Sequence, residues 1–423
     1  MAAQKGSIHD IASLALQVAR ELLEARPALK TAQPVERDTA IALAFRAEGG
    51  SAARLMATFR GDASFGDLRG GWIQQRGGAG THAQGLSLPP LFVNRAIEGR
   101  SVKSVIKKAR AFAKSPRCVT ESYTALTGFT VAAAVGLSQG IDLIPWSNVP
   151  ESKHRTLFES ETSPKFPAMR AVPNAAVRSR SPEGRVLFPS HKDAEASLKE
   201  SDGKSEIPTA QIDDLLRCIN VLSLRRVSII GSWTQFDNEI ANAVGPGFYS
   251  LRPGVFDHGL WQLSKKPTAL RGDEIVRLFH LFGELELADR DVMRIALDRL
   301  SRALRRGEAV DNAIDLGIAL EVMLLHGSDN NNRGELRFRL SIRGATFLGG
   351  DKPERLRNLK LLKDAYDLRS KAVHTGRLGK GKKGSSPKDI LECGTNTCAQ
   401  IALRLIERGS FPDWDDELVI GPQ

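Results

Sequence analysis

The stretch DNAIDLGIALEVMLLHG, residues 311–327, decides the fold of the C-terminal half of this 423-residue chain. Its side chains are apolar on nearly every face of a helix, which predicts a helix at the centre of a bundle. Gly327 is a stop signal, because glycine adopts the left-handed conformation that ends many helices. We therefore expect other helices to surround this segment.

Further helical patterns flank this segment. DRDVMRIALDRLSRALRR (289–306) precedes it, with an acidic start and a basic end that suit the helix dipole. Its apolar stripe consists of Val292, Ile295, Ala296, Leu297, Leu300, Ala303 and Leu304. ELRFRLSIRGATFLG (335–349), PERLRNLKLLKDAYDLRSKAVHTG (353–376) and DILECGTNTCAQIALRLIERG (389–409) follow it. Together these patterns predict an antiparallel helical bundle with short connections.

The N-terminal half has a more mixed pattern. SIHDIASLALQVARELLEARPALK (7–30) predicts an amphipathic helix, and SVKSVIKKARAFAKS (101–115) predicts a helix with a cationic, solvated face. Residues 131–150 alternate short apolar runs with Gly, Pro and Asn, as strands and loops do. GGWIQQRGGAGTHAQG (70–85) is dense in glycine and is expected to be a mobile loop.

Residues 174–208 combine charge, Ser, Pro and Gly with little apolar pattern, which predicts a flexible linker or long loop. The expected fold class is α+β. An N-terminal mixed α/β, strand-rich domain (1–173) with a sensor or regulatory role precedes the linker. An all-α domain (209–410, core 289–408) and a C-terminal tail (411–423) follow it.

Composition narrows the class of protein. With 41% hydrophobic and 26% charged residues, the chain is expected to bury a large globular core. Its formal charge of +11 favours polyanionic partners such as nucleic acid, although solubility alone also explains such a charge. The uncharged segment 122–141 is rich in Thr, Ser and Gly, so no membrane span is expected.

The cysteines and histidines predict no metal site. Four cysteines in a long chain indicate a reducing, cytoplasmic compartment. Cys393 and Cys398 form a C-x4-C pair, but there is no second pair and no nearby histidine to complete a tetrahedral site. We expect no metal and no cofactor.

The segment YDLRSKAVHTG, residues 366–376, carries the candidate chemistry. Arg369 offers a permanently charged guanidinium that can hold two phosphate oxygens. His374 can take a proton from a ribose 2′-hydroxyl and later return one. On a regular helix, positions five apart lie about 140° apart. Either the helix loosens before Gly376, or the two residues meet across an interface between two chains.

Basic residues near this motif are candidate RNA contacts. GRLGKGKK (376–383) approaches a phosphate-loop motif, but Lys383 stands where a Ser or Thr should bind magnesium. A basic loop beside an RNA cleft, or a plain solvated loop, are the two interpretations. The predicted RNA contacts are Lys371, Arg377, Lys380, Lys382, Lys383 and Arg343.

Residues 289–408 resemble the ApeA-like branch of the HEPN superfamily in four successive segments: DRDVMRIALDRLSRAL, IDLGIALEVML, FRLSIRGATFLG and AYDLRSKAVHTG. Arg369-Ser370-x3-His374 matches the signature of that superfamily. The resemblance implies an all-α ribonuclease domain that works as a dimer without metal, with Arg369 and His374 catalytic and Ser370 as their polar companion. Thr375 departs from the pattern, since a glycine follows the histidine in many relatives.

The same resemblance places Glu321 at an acidic position on a neighbouring helix. Glu321 either orients Arg369 or His374, or forms a buried structural ion pair. The expected function is a metal-independent endoribonuclease of toxin or antiviral-defence type. It would act on RNA as a homodimer through the C-terminal bundle, with the N-terminal domain sensing a phage or cellular trigger. The alternatives are a non-catalytic RNA-binding or dimerisation module and a purely structural helical scaffold.

Overall fold

The computed structural model of the chain describes residues 7–47, 49–74, 80–159, 173–200, 209–225, 227–245, 249–251, 266–305, 308–327, 335–378 and 386–420. Within these ranges the fold is mixed α/β. Helices come first, a sheet occupies the middle, and helices form the C-terminal half. The coarse prediction of a strand-containing N-terminal region followed by a helical C-terminal half is confirmed.

Helices form the first part of the fold. They are α1 (Ile8–Ala25), α2 (Pro34–Arg46), α3 (Gly50–Gly61), α4 (Leu88–Ile97) and α5 (Val102–Lys114), with short 3₁₀ helices at Pro27–Lys30, Ala63–Arg69 and Gly85–Ser87. Ser7 and Asp10 form a capping box at the start of α1. A shared core that includes Phe59, Phe65 and Phe92 holds these helices together. The helices predicted in 7–30 and 101–115 are confirmed.

The glycine-rich segment 70–85 contains a hairpin. Its strands β1 (Trp72–Gln74) and β2 (Gly80–His82) pair antiparallel, so the prediction of a mobile loop is wrong for the described residues. Ile73 is fully buried, and the rings of Trp72 and His82 lie 4.2 Å apart. The buried Ile73 and the contact between Trp72 and His82 hold the two described strands in place.

The middle of the chain builds a six-stranded antiparallel sheet in the order β12-β11-β4-β8-β7-β6. Its strands are β4 (Thr120–Thr127), β6 (Val135–Ser138), β7 (Ile141–Pro145), β8 (Ala175–Arg180), β11 (Ser228–Phe236) and β12 (Tyr249–Leu251). The strands predicted within 131–150 are therefore confirmed.

Smaller pairings and helices complete this region. β3 (Arg117–Cys118) pairs with β9 (Gly184–Arg185), β5 (Phe129–Val131) pairs with β13 (Thr268–Leu270), and β10 (Leu187–Phe188) pairs with β1. The helices are α6 (Lys153–Glu159), α7 (His191–Glu200), α8 (Thr209–Ser223) and α9 (Glu239–Val244), with a 3₁₀ helix at Trp146–Asn148.

The prediction of a linker at 174–208 is wrong where the structure describes this segment. β8 lies between β4 and β7 in the sheet, and residues 175–177 are buried. The charged residues that suggested a linker belong to the sheet, since Arg178 pairs with Asp142 at 2.6 Å and Arg180 with Glu121 at 2.7 Å. β11 follows the predicted boundary and pairs with β4, so 1–173 and 209–410 are not separate units.

The C-terminal half is a helical bundle. It contains α10 (Gly272–Glu284), α11 (Leu287–Arg305), α12 (Ala309–Leu324), α13 (Leu336–Leu348), α14 (Lys352–Thr375), α15 (Pro387–Arg408) and α16 (Trp414–Ile420). The bundle and the sheet share a layer of packing. Leu215 and Ile219 of α8 and Ile275 of α10 pack against the sheet residues Leu126 and Leu143.

Helix α12 is the centre of the bundle, as its apolar sequence predicted. Leu316, Leu320 and Met323 are at most 1% exposed, and α12 packs against α11, α14 and α15. The apolar stripe of α11 is largely buried as well. Ile295 is the exception, because 53% of its surface faces solvent.

The C-terminal tail predicted at 411–423 is a docked helix in its described part. Trp414 is 4% exposed, and its ring lies 5.5 Å from that of Phe347 on α13. Arg408 and Glu417 form an ion pair at 2.9 Å. In the ranges that the structure describes, no helix has the length and apolar character needed to cross a membrane, and residues 122–141 contribute to β4, β5, β6 and β7.

Candidate active site

Helix α14 carries the candidate catalytic residues and is regular to its end. Asp351 and Glu354 form a capping box at its start, where Pro353 occupies the first turn. Gly376 ends the helix in the left-handed conformation, with φ 62°. The helix continues through Thr375, so it does not loosen before Gly376. This excludes the first of the two expected ways for Arg369 and His374 to meet, and a meeting across an interface between chains stays a prediction.

Arg369 is half-buried between α14 and α12. One of its terminal nitrogens donates a hydrogen bond to Glu321 Oε2 at 3.1 Å. Gly317 makes this placement possible, because a Cβ there would overlap the Arg369 side chain. The Nε of Arg369 is buried and has no hydrogen-bond partner among the described residues. One donor of the guanidinium is thus committed to Glu321, and another is unsatisfied.

Glu321 and Tyr366 surround the guanidinium. Burial raises the pKa of Glu321 above its ordinary value, although the Arg369 charge and a hydrogen bond from the Tyr366 hydroxyl oppose that shift. Burial and the neighbouring Glu321 carboxylate raise the pKa of Tyr366. The Arg369 Cζ lies 5.8 Å from the centre of the Tyr366 ring. A perturbed carboxyl beside a cleft is typical of functional sites, but structural ion pairs also produce it.

His374 lies on the last turn of α14 and is exposed. Helical geometry turns it about 140° away from Arg369, so the two side chains face different sides of α14. Ser370 is half-buried beside Arg369 in sequence, while Lys371 and Arg377 are exposed. One chain therefore presents the guanidinium and the imidazole on separate surfaces.

The remaining predicted RNA contacts have different outcomes. Lys380, Lys382 and Lys383 lie outside the described residues. Arg343 is only 3% exposed, donates a hydrogen bond to the Leu324 carbonyl at 3.1 Å and lies 5.9 Å from the Trp414 ring. Its prediction as an RNA contact is wrong for this structure, because its guanidinium is buried within the bundle.

A cleft of about 470 Å³ opens beside Arg369. Its polar lining residues are Glu321, His326, Tyr366 and Arg369. Its apolar lining residues come from α11, α12, the residue after α12 and α13: Val292, Ile295, Val322, Leu325 and Leu336. In the part of the chain that the structure describes, no group of three or more His, Cys, Asp or Glu side chains is arranged to hold a metal ion.

Sequence reasoning missed three features of this site. Tyr366 stands three positions before Arg369, a spacing that places both on one helix face and that could have indicated its role. Gly317 is a glycine inside an apolar helix, which is a general sign of close packing. No sequence pattern around His326 indicated that it lines the cleft, because its position there depends on packing between distant segments.

Glu321, Tyr366 and Arg369 form a trio of glutamate, tyrosine and arginine in the bundle. A second trio of the same residue types lies in the sheet. Glu121 accepts hydrogen bonds from the Tyr123 hydroxyl at 2.6 Å and from Arg180 Nε at 2.7 Å. Burial pushes the pKa of Glu121 upward, but these hydrogen bonds outweigh it, and the net pKa is lowered. Glu121 is 7% exposed, and Tyr123 is fully buried. This trio stabilises the sheet.

Comparison of the chain with protein-family models, with curated proteins and with solved structures finds no match. The candidate site therefore depends on the geometry described above and on the sequence pattern of 289–408.

Proposed function

We propose that the chain is a metal-independent endoribonuclease whose site is built around Arg369 and His374. One observation carries this proposal. Glu321 on α12 holds the Arg369 guanidinium at the wall of a cleft. Arg369 lies on α14, the helix that also carries His374. The resemblance to the HEPN superfamily supports the same pair, and a charge of +11 suits an RNA substrate.

Arg369 would bind the scissile phosphate. The Arg369 side chain is 25% exposed and lines the cleft, and its charge would stabilise the negative charge that develops on phosphorus oxygens in the transition state. Glu321 acts as a positioning residue, because it occupies one terminal nitrogen of the guanidinium and keeps the side chain at the cleft.

His374 would transfer the protons. As a general base, an imidazole takes the proton of the ribose 2′-hydroxyl while that oxygen attacks the adjacent phosphorus. The bond between phosphorus and the 5′-oxygen breaks, and an imidazolium donates a proton to the leaving oxygen. The products carry a 2′,3′-cyclic phosphate and a 5′-hydroxyl.

A homodimer through the C-terminal bundle would complete this site. Because Arg369 and His374 face different sides of α14, a second copy of the chain must bring its own histidine to the cleft. The N-terminal region, which shares packing with α8 and α10, would restrain the nuclease until a trigger is sensed. A nuclease that is inactive until a trigger is sensed suits a toxin or antiviral-defence protein.

The same separation of the two side chains favours a second candidate. In a non-catalytic RNA-binding or dimerisation module, Arg369 grips phosphate and His374 has no proton to transfer. This module would bind RNA in a salt-dependent manner and leave it intact.

Cleavage of total RNA in EDTA by the wild type and by His374→Ala separates the two candidates. The nuclease predicts cleavage by the wild type and a loss of about 100-fold or more in the variant, because general acid–base catalysis supplies about that factor. An intact melting temperature of the variant is the control, since His374 is exposed. Binding without cleavage by the wild type contradicts the nuclease.

A further inference from the structure

Helix α5 lies in a strongly basic segment that contains no acidic residue. Residues 99–120, GRSVKSVIKKARAFAKSPRCVT, contain seven Lys and Arg residues and no Asp or Glu. This segment therefore carries a formal charge of +7, whereas the whole chain carries +11. The buried face of α5, which includes Ile106, Ala109 and Phe112, packs into the N-terminal core, so the lysines of α5 occupy the opposite side.

Three of these lysines form a row along the exposed face of α5. At about 100° per residue, Lys103, Lys107 and Lys114 lie within about 40° of one another around the helix axis. All three are exposed, and the row extends about 16 Å, since a helix rises about 1.5 Å per residue. The small exposed residues Ser104 and Ala111 lie beside this lysine row, so another molecule can approach it closely.

The acidic groups around α5 do not neutralise the lysine row, because arginines occupy them. Asp62 forms an ion pair with Arg110, and Glu98 forms one with Arg95. Within the part of the chain that the structure describes, none of the three lysines of the row forms an ion pair. Their charges therefore face solvent uncompensated.

The lysine row also works against the stability of its own helix. Lys103 lies in the first turn of α5, where positive charge opposes the helix dipole. Lys103 and Lys107 stand four positions apart, a spacing at which like charges repel. A helix surface of mixed sign, such as the Asp291–Arg294 pair on α11, avoids this cost. The concentration of one sign of charge favours an anionic partner outside the chain.

We propose that the lysine row binds the phosphate backbone of a nucleic-acid duplex, independently of base sequence. Successive phosphates of one strand lie about 3.4 Å apart along a duplex, so a row of about 16 Å can follow several of them. The inference does not depend on the proposed nuclease, because α5 belongs to the N-terminal helices and not to the bundle.

The chemistry of the exposed face decides between possible anionic partners. The exposed residues of α5, all of which the structure describes, include no aromatic side chain on which unpaired bases could stack. They include no Arg, Asn or Gln to read the edges of bases, so the contact is with phosphate alone. They include no large apolar side chain to enter a lipid layer. A duplex backbone requires none of these groups.

The test measures binding of short DNA duplexes of two unrelated sequences. DNA lacks the 2′-hydroxyl that the proposed nuclease needs, so this binding is separate from cleavage. The row variant combines Lys103→Gln, Lys107→Gln and Lys114→Gln in the full chain. Glutamine is about as good a helix former as lysine, so the variant removes three charges and keeps the helix.

The control variant combines Lys30→Gln, Lys192→Gln and Lys352→Gln. These three lysines are exposed and lie on separate elements, the first 3₁₀ helix, α7 and α14. The control therefore removes the same total charge without removing a row.

Affinity for each duplex is measured at several salt concentrations. The row variant should bind both sequences more weakly, and the slope of log K against log salt concentration should become shallower by about 3, because each lost phosphate contact removes about 0.9. The control should keep the slope of the wild type. The melting temperature of the row variant should not fall, since the substitutions relieve repulsion between lysines.

Three results overturn the inference. They are equal salt slopes for the row variant and the control, a larger loss of binding to vesicles of anionic phospholipid than to the duplex, and a larger loss for single strands than for duplexes. Cleavage of RNA by a wild type whose duplex binding ignores the row refutes the inference and keeps the nuclease. The expected change of slope in a protein that cleaves no RNA keeps the inference and refutes the nuclease.

Discussion

Two glutamates of this chain each face a tyrosine and an arginine, and they behave differently. In the sheet, Glu121 receives hydrogen bonds from Tyr123 and Arg180 at 2.6 and 2.7 Å, and its pKa is lowered. Its hydrogen bonds therefore outweigh the cost of burial. The carboxylate is stable as an ion, and the trio has the character of a structural ion pair.

In the bundle, Glu321 has a raised pKa, because burial outweighs the single 3.1 Å contact with Arg369 and the hydrogen bond from Tyr366. This trio lines a cleft, and one nitrogen of Arg369 has no hydrogen-bond partner among the described residues. Equal residue types thus do not imply equal roles. We propose that the trio at the cleft, whose carboxyl group has a raised pKa, is the one that binds a ligand.

The largest expected difference between the trios is in catalysis. Arg369→Ala should lower RNA cleavage about 100- to 1,000-fold, because it removes a charged donor to the transition state. Arg180→Ala, its counterpart in the sheet, should leave the cleavage rate of the folded protein unchanged. Initial rates of both variants in EDTA, normalised to the folded fraction, check this. Equal losses would show that the bundle trio has no special role.

A smaller loss of cleavage is expected from Gly317→Ala. The added Cβ overlaps Arg369, so it displaces the guanidinium from the cleft. A misplaced binding group should lower cleavage by about 10- to 100-fold, and overpacking should reduce the free energy of unfolding by about 1–3 kcal/mol.

Gly283→Ala serves as the control for Gly317→Ala. Gly283 lies in α10, and a Cβ there meets nothing within 4 Å. This variant should keep full activity and gain up to about 1 kcal/mol of stability, since alanine favours helix more than glycine does. Unchanged cleavage by Gly317→Ala would contradict the placement of Arg369 at the cleft.

The free energy of unfolding should depend more on the sheet trio than on the bundle trio, the reverse of the order expected for catalysis. Glu121→Ala leaves the buried Tyr123 hydroxyl without its acceptor, which should cost about 1–3 kcal/mol of unfolding free energy. Glu321→Ala should cost less, because Glu321 is partly exposed and its carboxylate is penalised by burial. Urea unfolding of both variants measures the difference. A larger loss for Glu321→Ala would make the bundle trio the structural one.

The smallest expected effect is the pH dependence of stability. A raised pKa in the folded state means that Glu321 destabilises the fold as pH rises above the ordinary glutamate value of 4.5. Glu321→Gln should therefore gain stability relative to the wild type as pH rises through that window. A lowered pKa means that Glu121 stabilises the fold above its unfolded value. Glu121→Gln should therefore lose relative stability as pH rises towards 4.5.

Unfolding free energies of both glutamine variants between about pH 3 and 7 test this, since most carboxyl groups titrate there. For each variant, the difference in unfolding free energy from the wild type is plotted against pH. The plots for Glu321→Gln and Glu121→Gln should have slopes of opposite sign. Slopes of the same sign would contradict the contrast between the trios.

The helices of the bundle could be predicted from the sequence because their signals are local. The apolar segment 311–327 indicated a central helix, and Pro353 and Gly376 marked the ends of α14. Strand β8 could not be predicted in this way. Its partners β4 and β7 lie more than 25 residues away, and their pairing overrides the polar character of its sequence.

The candidate site was predictable only in part. Arg369 and His374 share one short motif, whereas Glu321 stands 48 residues from Arg369 and meets it through packing of α12 on α14. Arg343 shows the opposite error, because a charge in the sequence does not reveal that its side chain is buried. Contacts between distant segments decide which charged residues reach solvent.

The central claim is that two chains assemble one RNA-cleaving site from Arg369 and His374. Its most direct test is the cleavage of RNA in EDTA by a mixed dimer of Arg369→Ala and His374→Ala, co-expressed and compared with each variant alone. A composite site predicts that the mixed dimer exceeds either variant by about tenfold or more, because one intact arginine and one intact histidine meet again. Inactivity of the mixed dimer beside an active wild type would contradict the claim.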